Sequence, residues 1–490
     1  MKPWRCISAV GWMGALLLSL AAQAAPMGNE DARHLLSRSG FGASPEEIAA
    51  MARLSRRDGV ERLLAGAQQN PLSPPPEDVV AYLSPKSFRE AEGEAKKELL
   101  RLQRQRGVRL RGWWVAQMLA TPSPLTEHMT LFWHNHFVSS LEKVKSPALM
   151  AEQNLLLRRY ALGNFADMLH AVAKGPAMLV YLDTANSRKG QPNENFAREV
   201  MELFTLGEGH YDEHDIKEAA RAFTGWSVAP ETGAYKWRPF IHDDGVKTVL
   251  GQQGNFDGDA VLDILLARPE TAEFVTNKLW KEFVSPEPDA RQVKRIAAGF
   301  RTSGYDIKTV LRGLFMSPAF WARENRAALV KSPVDWVVGT ARSLDMRDIP
   351  ALPTALALRQ LGQDLFAPPN VKGWPGGDAW INSNSLLARK QLVERLLRGE
   401  ESSGAGEMAM RAAESGDNGD KDDRERQRMA RALAAMRFDL DRWNDALDKA
   451  HLSPETALLS AAPAGAPLDD SLPLRERVKT LLLDPVSQLK

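Results

Sequence analysis

The chain has 490 residues, 63 Lys and Arg against 62 Asp and Glu, 44% hydrophobic residues and one cysteine, a balance that excludes collagen, whole-chain disorder and a disulfide-stapled miniprotein. Basic and acidic residues are interleaved, so no positive stripe offers nucleic acid a footing. At the usual ~150 residues per domain the length allows about three domains or one large helical core.

At the N-terminus, Lys2 and Arg5 precede an apolar run from Ile7 to Ala22 that ends in Ala22-Gln23-Ala24. This is the pattern of a signal peptide over 1–24, with cleavage expected after Ala24 and a periplasmic or secreted mature chain. Gly11, Gly14 and Ser19 interrupt the run, and no later stretch approaches ~20 apolar residues, so no membrane span is expected after cleavage. Cleavage leaves 61 basic against 62 acidic side chains and removes Cys6. A mature chain without cysteine has no thiol nucleophile, cysteine-ligated zinc, iron–sulfur cluster or disulfide.

From residue 25 to 398 the periodicity is mainly α, the pattern of a large multi-helix globular domain. Ser44-Pro45-Glu46-Glu47 sets an N-cap serine, Pro at the first helical position and Glu at the third, a capping box, and Ser332-Pro333-Val334-Asp335 repeats it with Asp. Amphipathic patterns run over Ser87 to Leu119, Pro124 to Phe137, Ala148 to Ala173, Asn193 to Leu206, Asp215 to Phe223 and Asp259 to Leu266. Further ones cover Thr271 to Phe283, Ala290 to Arg301, Ile307 to Met316, Val334 to Leu344 and Ser385 to Leu397.

Seven of the nine histidines lie from His128 to His242. His134 and His136 have the spacing of a chelating pair on a strand, but on a helix they stand about 160° apart. His136 falls on the apolar stripe, as a buried histidine with one hydrogen-bond partner or as a ligand or acid/base facing a pocket; His134 is expected at the surface beside Glu127. In Asn193 to Gly207, Glu194, Arg198 and Glu202 form a ladder of ion pairs at four-residue spacing. Glu199 sits at the edge of the apolar face, either paired structurally with Arg198 or serving catalysis or a metal. Tyr211 to Asp215 is read as helix capping.

Three stretches break the helical pattern. Trp226 to Phe256, with Pro230, Gly233, Pro239, Gly245, Gly251 and Gly254, reads as a long irregular excursion, within which His242 and Asp243 are either functional or part of a plain Asx turn. Ala367 to Asn384 is a Pro/Gly/Trp-rich loop expected to be ordered because its tryptophans favour burial. Either Trp374 packs on the helices bearing His136 and Glu199, with Lys372 reaching the acidic groups, or the loop is a surface hairpin packed only on its own neighbours. Residues 399–430 are polar and read as a disordered insertion, and 431–490 as a C-terminal helical segment closing the core. No G-x-S-x-G elbow, P-loop or G-x-G-x-x-G follows a strand, so neither serine-triad catalysis nor a nucleotide is expected.

The stretches ARHLLSRSGFG (Ala32 to Gly42), LFWHNHF (Leu131 to Phe137), Asn193 to Leu206, EAARAFTGW (Glu218 to Trp226), HDDGVKTVLG (His242 to Gly251), KSPV (Lys331 to Val334) and PPNVKGWPGGDAW (Pro368 to Trp380) resemble the bacterial domain of unknown function 1800 family. The resemblance spans nearly the whole mature chain and departs from the family at the polar insertion. It implies an exported protein that often accompanies a co-exported sulfatase-like family. It also marks His136, Glu194, Arg198, Glu199, His242, Asp243, Lys247, Lys372 and Trp374 as motif residues. Two function classes follow. One is an exported hydrolytic or metal-assisted enzyme using His136, Glu199, His242 and Asp243, with a divalent metal compatible with these groups and Glu194, Arg198, Lys247, Lys372 and Trp374 as binding residues. The other is a non-catalytic envelope or secretion partner of the co-exported protein. An enzyme requires His136, Glu199 and His242 to converge on one cavity, whereas a scaffold scatters them.

Overall fold

The computed structural model describes residues 25–397, 438–465, 468–469 and 471–490. The expected signal peptide (1–24) and polar insertion (399–430) lie outside them. Among the described residues the chain is helical almost throughout, with four strands of three residues each, and no helix is long and apolar enough to cross a membrane.

The capping signals act as their chemistry requires. Ser44 accepts from the Glu47 amide while the Glu47 carboxylate accepts from the Ser44 amide, and Ser332 and Asp335 form the same reciprocal pair at the start of the Pro333–Ser343 helix. Two expectations fail: Ser87 to Leu119 is broken at Ala91 and Glu92 between the helices Pro85–Glu90 and Gly93–Ala120, and Ala148 to Ala173 is two helices, Pro147–Tyr160 and Phe165–Ala173. Asn164 leaves the helical conformation and its side chain accepts from the Asp167 amide at 3.0 Å, opening a second helix in mid-pattern. The apolar periodicity continues across this break because both helices face the same core.

That core is continuous from Ala32 and Leu35 near the N-terminus to Val478 and Leu481 near the C-terminus, and Trp114, Trp133, Trp280 and Trp443 are fully buried in it. The helices Leu440–Ala450 and Pro454–Leu458 pack back on the N-terminal ones. Arg33 donates to the Ser460 carbonyl and Trp443 to that of Ser343. The irregular excursion is two antiparallel hairpins, Trp226–Val228 with Tyr235–Trp237 and Lys247–Val249 with Gln252–Gly254. In the second, Leu250 and Gly251 both have positive φ (49° and 77°), the geometry of a tight two-residue turn, and the Asp215 carboxylate accepts from the Leu250 amide at 2.7 Å.

Candidate functional site

Four elements enclose an open cleft of about 510 Å³. They are the histidine helix (Pro124–His136), the lysine helix (Pro269–Phe283), the Ala328–Asp335 segment that opens the Pro333–Ser343 helix, and the Pro/Gly/Trp loop. Phe132, Trp374 and Trp380 give it aromatic walls; His128, His136, Lys278, Lys281, Glu282, Asp335, Lys372 and Lys490 give it charge and hydrogen-bonding groups.

The loop is fixed by backbone chemistry. Gly373 has φ +85°, and a Cβ there would meet Asn135 Oδ1 at 2.2 Å, so only glycine allows this approach. The next amide, that of Trp374, donates to Asn135 Oδ1 at 2.7 Å, and the buried Trp374 ring packs against His134 with centroids 5.7 Å apart. The loop is therefore anchored on the histidine helix. Lys372 remains exposed, its ammonium 4.0 Å from Glu202 Oε1.

His136 is buried; its Nε2 lies 3.1 Å from the Phe204 carbonyl, and its Nδ1 has no partner among the described residues. The Phe204 carbonyl is available because the acidic helix Glu194–Glu199 runs on into a π-helical turn, Val200–Thr205, whose last carbonyls have no helical partner. Burial, then the charge of Lys278, holds the imidazole pKa well below its ordinary value, so His136 is neutral. Lys278 keeps part of its surface in solvent, yet burial among the surrounding atoms pushes its pKa down to about 8. Among the described residues its one hydrogen bond is long, 3.5 Å, to the Leu203 carbonyl.

At the cleft floor three charges share one network. Lys490 Nζ lies 2.9 Å from Asp335 Oδ2 and 3.3 Å from Glu282 Oε1, and His128 Nε2 lies 2.7 Å from the same Glu282 oxygen. Burial raises the pKa of both carboxyls, but Lys490 and His128 outweigh it and hold them below the ordinary range. Burial alone would lower the Lys490 pKa, and the two carboxylates raise it.

Glu199 is half-buried, and burial followed by the charge of Glu202 raises its pKa. Arg198 instead pairs with Glu213 at 2.7 Å and more distantly with Glu194 at 3.6 Å. Neither Glu199 nor Glu194 nor Arg198 lines the cleft, although Lys372 bridges toward this acidic group. His242, Asp243 and Lys247 belong to a separate cluster. Arg221 grips Asp243 at 2.9 and 3.1 Å, and Asp243 Oδ1 accepts from the Gly245 amide, closing an Asx turn. The Arg221 bond depresses the Asp243 pKa to about 2. His242 Nδ1 lies 2.8 Å from the Thr224 carbonyl, and buried Lys247 donates to the carbonyls of Asp243 and Gly245 at 2.6 and 2.9 Å. These contacts shape the second hairpin, and the three residues do not converge with His136.

The expectation of a surface His134 is overturned: it is 0% exposed, and neither ring nitrogen has a partner among the described residues. The pattern assumed one wet face, but of the thirteen residues of the histidine helix all but Pro124 and Asn135 are buried. Trp114, Phe366 and Trp374 surround the His134 ring, and Glu127, on that face, is engaged by Arg158 and by the Trp114 indole. Sequence reasoning also missed His128, Lys278, Glu282, Asp335 and Lys490. Asp335 was visible as a capping residue of the KSPV stretch; the others carry no local pattern, because residues 128, 282, 335 and 490 meet only through tertiary packing. Among the described residues no three His, Cys, Asp or Glu side chains form a group that could hold a metal ion.

The family model described as "Protein of unknown function (DUF1800)" matches residues 34–469, and the chain belongs to that family. No curated protein and no solved structure matches it.

Proposed function

We propose that this DUF1800 family member is an exported hydrolase that binds a compact anionic organic substrate in the cleft and moves a proton through Lys278. The observation that carries the reading is the meeting of Lys278, its pKa lowered to about 8, with neutral His136 and the walls of Trp374 and Trp380 on one open cleft. A cleft of about 510 Å³ is the size of ordinary small-molecule sites. Near pH 8 half of Lys278 is a free amine, able to take a proton from a water attacking an ester or amide carbonyl and to return it to the leaving group. Lys281 and Lys372 draw an anionic group toward the mouth. With Nε2 engaged by the Phe204 carbonyl, His136 stands as a neutral ring in the cleft wall. Purified mature protein should hydrolyse members of a panel of carboxylate-bearing chromogenic esters and amides, with Lys278→Met lowering kcat at least ~100-fold, the usual scale of a lost acid/base group. A panel without turnover, or an unchanged Lys278→Met rate, would sink the reading.

A second reading, a docking protein for a co-exported partner, rests on the hairpin region. There Trp237, Phe240 and Val246 are 40%, 80% and 60% exposed beside the His242–Asp243 cluster. Polar substitution of Phe240 and Val246 should then impair export or partner capture without changing the cleft.

A further inference from the structure

On the far side of Asp335 and Lys490 from the cleft lies a second, smaller cavity of about 30 Å³. Its charged lining is Arg33, Lys331, Asp335 and Lys490, with Trp336 and Ser343 beside them. The donors and acceptors do not balance.

Arg33 is buried, and its hydrogen bond goes to a neutral backbone carbonyl, that of Ser460, at 2.9 Å. Lys331 likewise donates to a carbonyl, that of Ser487, at 3.0 Å. Two more buried cations stand close behind. Arg389, 1% exposed, bonds Gln488 Oε1 and the Lys331 carbonyl, and Arg38, 0% exposed, bonds the carbonyls of Phe283, Val284 and Asn325. Among the described residues none of these four cations forms a salt bridge. Asp335, the carboxylate of the lining, is already engaged through Oδ2 by Lys490, by the Ser332 hydroxyl and by the Ser332 amide, at 2.9, 2.9 and 3.1 Å. Among the described residues the indole N–H of Trp336, a residue 3% exposed, has no hydrogen-bond partner.

A buried cation costs free energy unless a counter-charge accompanies it, and an orphan N–H adds its own desolvation cost. The cavity exceeds the ~10–15 Å³ that one water-sized occupant needs, and it is too small for a phosphate or for an organic acid. We propose that this cavity is a binding site for one monatomic anion of halide size, held among Arg33, Lys331 and the Trp336 indole. Chloride is the abundant ion of that class outside the cytoplasm. Water is the competing occupant, and charge discriminates between them: water adds no counter-charge to the excess of cations, whereas the anion does. Burial and Arg33 push the Lys331 pKa down to about 7, and a bound anion opposes that shift, keeping the ammonium charged.

The test uses the mature protein at pH 6 and constant ionic strength, with sodium chloride exchanged for sodium gluconate, whose anion cannot enter the cavity. Chloride should raise Tm saturably, by about 1–2 °C at ten times its dissociation constant, and the rise should vanish in Lys331→Met. Should that variant fail to fold, crystals of the wild type soaked in bromide decide independently: an anomalous peak between Arg33 and Lys331 is expected. A cavity holding only water in bromide, or a Tm that responds equally to chloride and gluconate, would overturn the assignment.

Discussion

Replacing Lys490 by Met removes the ammonium that bridges Asp335 and Glu282 while keeping the apolar stem. Side-chain exposures are 4% for Lys490, 8% for Asp335 and 32% for Glu282, so the two carboxylates lose their partner in a site that water reaches mainly from the Glu282 side. Breaking a buried pair by deleting one member costs about 3–5 kcal/mol, and the partial exposure of Glu282 argues for the lower end, about 3 kcal/mol. For a chain of this length that corresponds to a Tm lower by roughly 3–4 °C. The pH dependence is the sharper signature. Both carboxyls have folded-state pKa values below their ordinary range, so the stability they contribute is present above pH ~4–5 and is lost as pH falls through the folded values. Without Lys490 the larger part of that source is gone, and His128 alone remains beside Glu282. The deficit of Lys490→Met should therefore be full at pH 7 and shrink toward pH 4, where the orphaned carboxyls protonate. Calorimetric scans of both proteins between pH 4 and 8 measure it. A deficit independent of pH, or none at pH 7, would refute the reasoning.

Other outcomes follow from single contacts. Trp374→Ala removes a buried ring at the cleft wall and should destabilise by about 3–5 kcal/mol, read as a lower Tm, and abolish turnover of any substrate found. His134→Leu exchanges two unpartnered buried nitrogens for carbon and should raise Tm at pH 7 by an amount matching about 1–3 kcal/mol. Because burial holds the His134 pKa at about 3, below its unfolded value, wild-type stability contributed by the neutral ring is lost as pH falls from about 6.5 toward 3; the leucine variant should lack this loss, and an identical acid limb in both would contradict the assignment. Arg221→Ala releases Asp243 and should speed amide exchange over Lys247–Gly254 while leaving Lys278 chemistry unchanged.

The helical class and most helix starts were legible because they are local: Ser44, Ser332 and the 3.6-residue spacing act within a turn or two. Membership of the family was legible from motif words spread along the chain. The loop wall was legible in part, since Gly373 and Trp374 announce a turn that cannot be other residues and a ring that favours burial. What stayed hidden was tertiary. His134 looked wet because a single helix cannot reveal that Trp114, Phe366 and Trp374 cover its outer face. His242 and Asp243 looked chemical because a polar loop reads the same whether its carboxylate meets a substrate or Arg221. Lys278 and Lys490, one on an ordinary amphipathic helix and one at position 490, acquire their perturbed pKa values only from neighbours distant in sequence.

The central claim, that the cleft presents a chemically poised lysine, is tested most directly by the reactivity of Lys278 toward a small amine-acylating reagent, followed residue by residue with mass spectrometry from pH 6 to 10. With a pKa of about 8 and a place on the open cleft, Lys278 should label roughly ten-fold faster at pH 7.5 than exposed lysines such as Lys86, with a rate that levels off above pH 8. A Lys278 that labels no faster than Lys86, with a rate still climbing at pH 10, would contradict the account.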